Sequence, residues 1–114
     1  MKLVVIESPY AGNIDNNTRY FNECMIDCFK RGEAPFGSHG IYPNVLNENS
    51  PCGRKLGIES GYAWGEKADI VAVYQDFGIS SGMQKAIEYY MELGKFIEYR
   101  RLYENETKTS DWTL

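Results

Sequence analysis

"DIVAVYQDFGISSGMQKAIEYYMELGKFIEYRRL", residues 69–102, decides the fold. Its first six residues form a short apolar run rich in β-branched side chains, the pattern of a buried strand. "ISSGM" then supplies a helix start: Ser80 can cap, Ser81 adds a hydroxyl, and Gly82 allows close backbone approach. Met83, Ala86, Ile87, Tyr90 and Met91 follow at the spacing of one helix face, and Gly94 ends the helix. "KFIEYRRL" reads as the next strand. Strand, turn, helix and strand in this order imply parallel pairing through a crossover.

The chain upstream has the same rhythm. "KLVVIE" (2–7) reads as a buried strand, and "IDNNTRYFNECMIDCFKRG" (14–32) as a helix. That helix should bury Phe21, Cys24, Met25, Cys28 and Phe29, with Asn13 or Asp15 as its cap and Gly32 at its end. "EAPF" (33–36) is a weak strand. "GSHGIYPNVLNENSP" (37–51) is a loop long enough to suggest function. Ser50 and Pro51 open a further helix through "CGRKLGIESGYAWGEKA" (52–68). Leu56, Tyr62 and Ala63 are expected near its inner face, and its glycines weaken that expectation. The expected architecture is α/β: a mostly parallel sheet of four or five strands, covered on both faces. Residues 1–102 form the domain, and 103–114 a polar tail that Trp112 could dock.

Composition narrows the function. The chain has 114 residues, 43% apolar and 25% charged, with a net charge of −4. That balance argues against a nucleic-acid polymer, which needs a basic surface. A local pocket for a small anion is compatible with it. No apolar run approaches the roughly 20 residues needed to cross a bilayer, and the start is too short for a signal peptide, so no membrane role and a cytoplasmic location are expected. Cys24, Cys28 and Cys52 are an odd set, and the first two sit four apart on a helix, poorly placed for a disulfide. Reduced thiols and a single histidine, His39, point to no metal and no cofactor.

Ligands of open parallel sheets bind beyond the carboxyl ends of the strands. That rule gathers "SPYAG" (8–12), "GSHGIYP" (37–43) and "QDFGISSGM" (75–83) at one rim. The candidate binding residues are Ser8, Tyr10, Gly12, His39, Tyr42, Asp76, Ser80, Ser81, Gly82 and Met83. Gly12 lets a ligand approach, Tyr10 can stack on a base or bond a sugar, and His39 can donate to phosphate or hydroxyl. The N–H groups of Gly82 and Met83 suit an anion. Plain strand-to-helix turns and an ordinary Ser-capped helix would produce the same residues. Asp69 and Asp76 lie at opposite ends of one strand, over ~20 Å apart, and cannot form one acid–base pair. Asp76 is the candidate acid at the rim, and Asp69 reads as a cap.

Together, "SPYAG", "PFGSHGIYP", "SSGM" and "LGK" resemble the nucleoside 2-deoxyribosyltransferase-like superfamily, above all its small bacterial and phage members, over nearly residues 1–99. The resemblance implies a flavodoxin-like, three-layer sandwich. It also implies chemistry at the N-glycosidic bond of deoxynucleosides or nucleotides, with a Glu nucleophile near the start of the last helix. Tyr10 would match the first-loop aromatic, and Asp69 an Asp that opens the strand. The nucleophile's slot falls on Ala86, which cannot attack an anomeric carbon. An acidic position six residues earlier falls on Ser80. The resemblance thus implies a homo-oligomer, dimer or higher, that binds or sequesters a nucleoside or nucleotide, such as a signal captured by a phage protein. The alternatives are an active N-glycosidase or deoxyribosyltransferase, and an interaction module using Tyr89, Tyr90, Tyr99, Tyr103 and Trp112.

Overall fold

A computed structural model describes residues 1–103; the expected tail and Trp112 fall outside the described residues, apart from Tyr103. The element order is β1 (Leu3–Glu7), α1 (Ile14–Lys30), β2 (Ala34–Phe36), α2 (Pro51–Gly65), β3 (Ile70–Tyr74), α3 (Ser81–Glu92) and β4 (Ile97–Arg100). The four strands form one sheet in the order β2-β1-β3-β4, and every pairing is parallel. This is the α/β class expected, and it is compatible with a flavodoxin-like or Rossmann-like three-layer sandwich. β1 and β3 are central, so their inner residues are buried on both faces, and they read as unbroken apolar runs.

Strand order places the helices. The chain moves outward from β1 to β2, then returns across β1 to reach β3 and β4. A right-handed crossover at each step puts α1 on one face and α2 with α3 on the other. Two clusters result. Val4, Ile6, Ile70, Ala72 and Tyr74 pack against Tyr20, Phe21, Cys24 and Cys28 of α1. Val5, Val71 and Val73 pack against Met83, Ala86, Ile87 and Tyr90 of α3.

Helix ends depart from simple periodicity. Phe29 is 53% and Met91 57% exposed, because the last turn of each helix runs past its packing partners. Tyr20, one turn before Cys24, fills the core instead. Asn13 is the α1 cap, accepting from the Asn16 N–H. The inner face of α2 is not the one expected: Leu56 and Ala63 are exposed, and Gly61 and Gly65 are buried. With Gly53 and Gly57 they make a stripe at every fourth residue that lets backbone approach closely. A Cβ at Gly65 would lie 1.8 Å from the Tyr90 hydroxyl oxygen, and one at Gly61 would lie 2.6 Å from Ser38 Oγ. No helix among the described residues is long and apolar enough to cross a membrane.

Candidate functional site

The order β2-β1-β3 contains the reversal at which consecutive loops leave for opposite faces. The loop after β1 leads to α1, while the loop after β3 leads to α3 on the other side. A crevice opens between two such exits. The candidate site is built there, at the carboxyl ends of β1 and β3.

The first two loops are joined. Ser8 is buried, and its hydroxyl meets His39 Nε2 at 2.6 Å; the imidazole tautomer decides which donates. Burial and, after it, the neighbouring Glu48 raise the pKa of Tyr10. Asn17 Nδ2 donates to the carbonyls of Tyr10 (2.9 Å) and Ala11 (3.0 Å), which holds the turn at Gly12, where φ is +99°. The turn Ser38–Gly40 wraps the Phe21 ring, and His39 meets that ring edge-on at 4.6 Å. A Cβ at Gly37 or Gly40 would strike Phe21, at 2.3 and 2.2 Å.

This placement changes the part His39 can play. Burial lowers its pKa to about 4, so the ring is neutral at physiological pH. It positions the Ser8 hydroxyl and brings no charge to a phosphate. Tyr42 packs beside α2, where a Cβ at Gly57 would lie 3.8 Å from its Cβ. It faces the Phe36 ring at 6.4 Å and, with Ser60, Ala63 and Trp64, lines a shallow hollow of about 310 Å³.

The start of α3 is partly used by its own cap. The Met83 N–H donates to Ser80 Oγ at 3.3 Å, and the Ser80 N–H reaches Met83 Sδ at 3.5 Å. Met83 is 2% exposed and belongs to the core. The Met83 N–H is thus spent on the cap, contrary to the sequence expectation, while the Ser80 hydroxyl accepts that bond and keeps its own proton to donate. Ser81 and Gly82 are exposed, and their N–H groups point out of the first turn, where the helix leaves donors unpaired.

Asp76 lies just past β3, as expected, but its carboxylate is occupied. It accepts from the Tyr20 hydroxyl, from the Leu102 N–H at 3.0 Å and from the Tyr103 N–H at 3.1 Å. These bonds clamp the chain leaving β4 onto α1, which makes Asp76 a structural anchor and not a reacting acid. Asp69 lies at the opposite end of β3 and accepts from the Leu3 N–H at 2.8 Å. Ala86 is 3% exposed and completes the apolar face of α3. The thiols of Cys24 and Cys28 are buried and pushed upward by burial, Cys28 to about 11. Cys28 Sγ lies 3.4 Å from the Tyr74 hydroxyl.

Sequence reasoning passed over Glu7. It ends β1 opposite Val73, on the face that Val5 turns toward α2 and α3. The carboxylate has no hydrogen-bond or ion-pair partner among the described residues. Burial raises its pKa to about 8, so at neutral pH it is largely the neutral acid. Burial, and after it the charge of Glu7, raise the pKa values of Tyr62 and Tyr90. The signal in the sequence was an acid that closes an otherwise apolar strand.

No curated protein and no solved structure matches the chain. Residues 2–100 match the family described as "Domain of unknown function (DUF7768)", which spans every element from β1 to β4, and the chain belongs to that family.

Proposed function

We propose that the protein binds a nucleoside or nucleotide at the crevice between the β1 and β3 exits, and holds it without transferring its sugar. The observation that carries this reading is the reversal of strand order at β1, with the joined "SPYAG" and "SHG" turns on one side and the open start of α3 on the other. Ser81 and Gly82 offer N–H groups to a phosphate, and the helix dipole favours an anion there by about 0.3–1 kcal/mol. The likeness to nucleoside 2-deoxyribosyltransferases supplies the ligand class. The loss of chemistry rests on two side chains. Ala86 has no nucleophile to offer, and Asp76 has given its lone pairs to the tyrosine and the β4 exit.

Incubation with deoxynucleosides and their monophosphates, followed by thermal melting and chromatography, tests the reading. Binding at a hundredfold excess over Kd should add about 2.7 kcal/mol of stability, a rise of several degrees in Tm. No free base should appear. Released base would establish a glycosidase or transferase instead, and unchanged melting with every compound would remove the nucleotide reading.

A further inference from the structure

The two edges of the sheet end differently. Among the described residues, β2 pairs only with β1, and β4 only with β3. On β2 the Ala34 N–H donates to the Lys2 carbonyl, so alternation turns Pro35 outward, where proline has no N–H to offer. That edge is closed to a further strand. β4, with the sequence IEYR, has no such stop. The Phe96 and Arg100 carbonyls accept from the Val71 and Gln75 N–H groups, so they face β3. Alternation then sends the N–H and C=O groups of Ile97 and Tyr99, and of Arg101 just past the strand, to the open side. No described residue bonds them there.

An edge of this kind is a template for another strand. Its charged side chains do not guard it. Glu98 and Arg100 turn to the α1 face, where Glu98 accepts from Arg100 Nε at 2.8 Å and lies 3.5 Å from Arg31. Ile97 turns the other way and packs against the α3 cluster. Tyr99 shares that face by alternation and is 45% exposed. Beyond Arg101 the chain leaves the edge. The Leu102 and Tyr103 N–H groups donate to Asp76, and the Tyr103 hydroxyl donates to Glu23 of α1.

The strand that fits this edge is β4 of a second copy. Antiparallel pairing of a strand with itself about a two-fold axis is self-complementary. Charge and free N–H groups select the register. Centred on Glu98, the two Glu98 carboxylates would oppose each other, and Arg101 would need the N–H of the partner's Lys95, which is spent on the Tyr90 carbonyl. Centred on Arg100, two guanidiniums would oppose each other, and Ile97 would need the N–H of the partner's Tyr103, which is spent on Asp76. Centred on Tyr99, Ile97 meets the partner's Arg101 with both sets of backbone groups free, and Glu98 meets the partner's Arg100, its opposite in charge. The two Tyr99 rings then pair across the axis. We propose that β4 joins β4 of a second copy in this antiparallel register, making one continuous sheet. The nucleotide reading plays no part in this pairing.

Light scattering of the full-length chain across a dilution series tests this. The concentrated end should show twice the 13.1 kDa of one chain. Tyr99→Lys sets two ammonium groups against each other at an exposed position and should weaken association by about tenfold or more. Tyr99→Cys, combined with Cys52→Ser, should oxidise in air to a covalent dimer. Hydrogen-bonded antiparallel partners lie about 5.5 Å apart at Cα, within reach of a disulfide. Ile97→Cys in the same background should stay uncoupled, which reads the register. The cysteine also carries the test if the lysine variant fails to fold. A single-chain mass at every concentration would overturn the proposal, and slow amide exchange at Ile97 and Tyr99 in that monomer would show the edge covered from within the chain. A dimer that Tyr99→Lys leaves intact and Tyr99→Cys does not cross-link would place the interface elsewhere and overturn it too.

Discussion

The two faces of the sheet treat buried polarity in opposite ways. On the α1 face, Arg100 is 4% exposed and grips Glu33 through two nitrogens, each at 2.8 Å. Arg100 also donates to the Tyr74 hydroxyl at 3.0 Å, and Tyr74 in turn donates to Asp27 at 2.8 Å. Glu98 accepts from Arg100 Nε at 2.8 Å, and Asp76 ties Tyr20 to the β4 exit. On the α2/α3 face, Tyr62 stacks on Tyr89 at 4.2 Å and meets Tyr90 edge-on at 5.8 Å, while burial raises the pKa of Glu7. A buried network that is fully satisfied locks the fold. The first face is locked by its polar network, and the second is held by ring packing around a carboxyl that burial keeps protonated to higher pH.

The strongest way to break this contrast is to open the α1 network. Arg100→Ala should cost about 3–5 kcal/mol, because Glu33 becomes a buried charge without its partner. Denaturant unfolding reads this directly, and a cost under about 1 kcal/mol would mean that the network is dispensable.

The α2/α3 face should show itself through pH. The folded pKa of Glu7 lies near 8, above the ordinary 4.5, so the folded state holds the extra proton. Stability is lost as pH rises from about 4.5 to about 8. His39 runs the other way: lowered from 6.5 to about 4, it loses stability as pH falls through that window. The two slopes oppose each other between about 4.5 and 6.5, giving a plateau, and from 6.5 to 8 the Glu7 slope acts alone. Glu7→Gln should abolish the decline on the alkaline side and be more stable than the native chain at pH 8.5, by on the order of 2–4 kcal/mol. Chemical unfolding across the pH range checks both sign and window.

A smaller effect sharpens the packing side of the comparison. Gly65→Ala would set a methyl 1.8 Å from the Tyr90 hydroxyl oxygen, so the ring must tilt. Overpacking costs about 1–3 kcal/mol, and the better helix propensity of Ala returns about 1. A net loss of up to about 2 kcal/mol is expected in denaturant unfolding. Gly82→Ala, where nothing lies within 4 Å, should show no such loss.

Particular residues show what could be read without coordinates. β1 and β3 were legible because central parallel strands are apolar on both sides. Even β2, only three residues long, was found from "EAPF" and its bounding turns. The inner face of α2 was not legible, since glycine adds nothing to a hydrophobic pattern even where it marks the closest approach. Phe29 and Met91 fit the helical spacing, but periodicity does not report where a helix outruns the sheet. At the rim, Ser8 and His39 were both singled out, while their bond to each other, across 31 residues, was not visible. Asp76 looked free because the groups that occupy it, the Leu102 and Tyr103 N–H groups, are 26 and 27 residues away.

The sequence by itself determined the order of strands and helices, the parallel sheet and the rim where its loops gather, because periodicity, caps and the handedness of crossovers are local or nearly local rules. Tertiary structure alone decided which rim groups are spent and which are available. Burial, hydrogen-bond saturation and the field at a carboxyl depend on residues far apart in the chain, and so Asp76 became an anchor while Glu7 was left open.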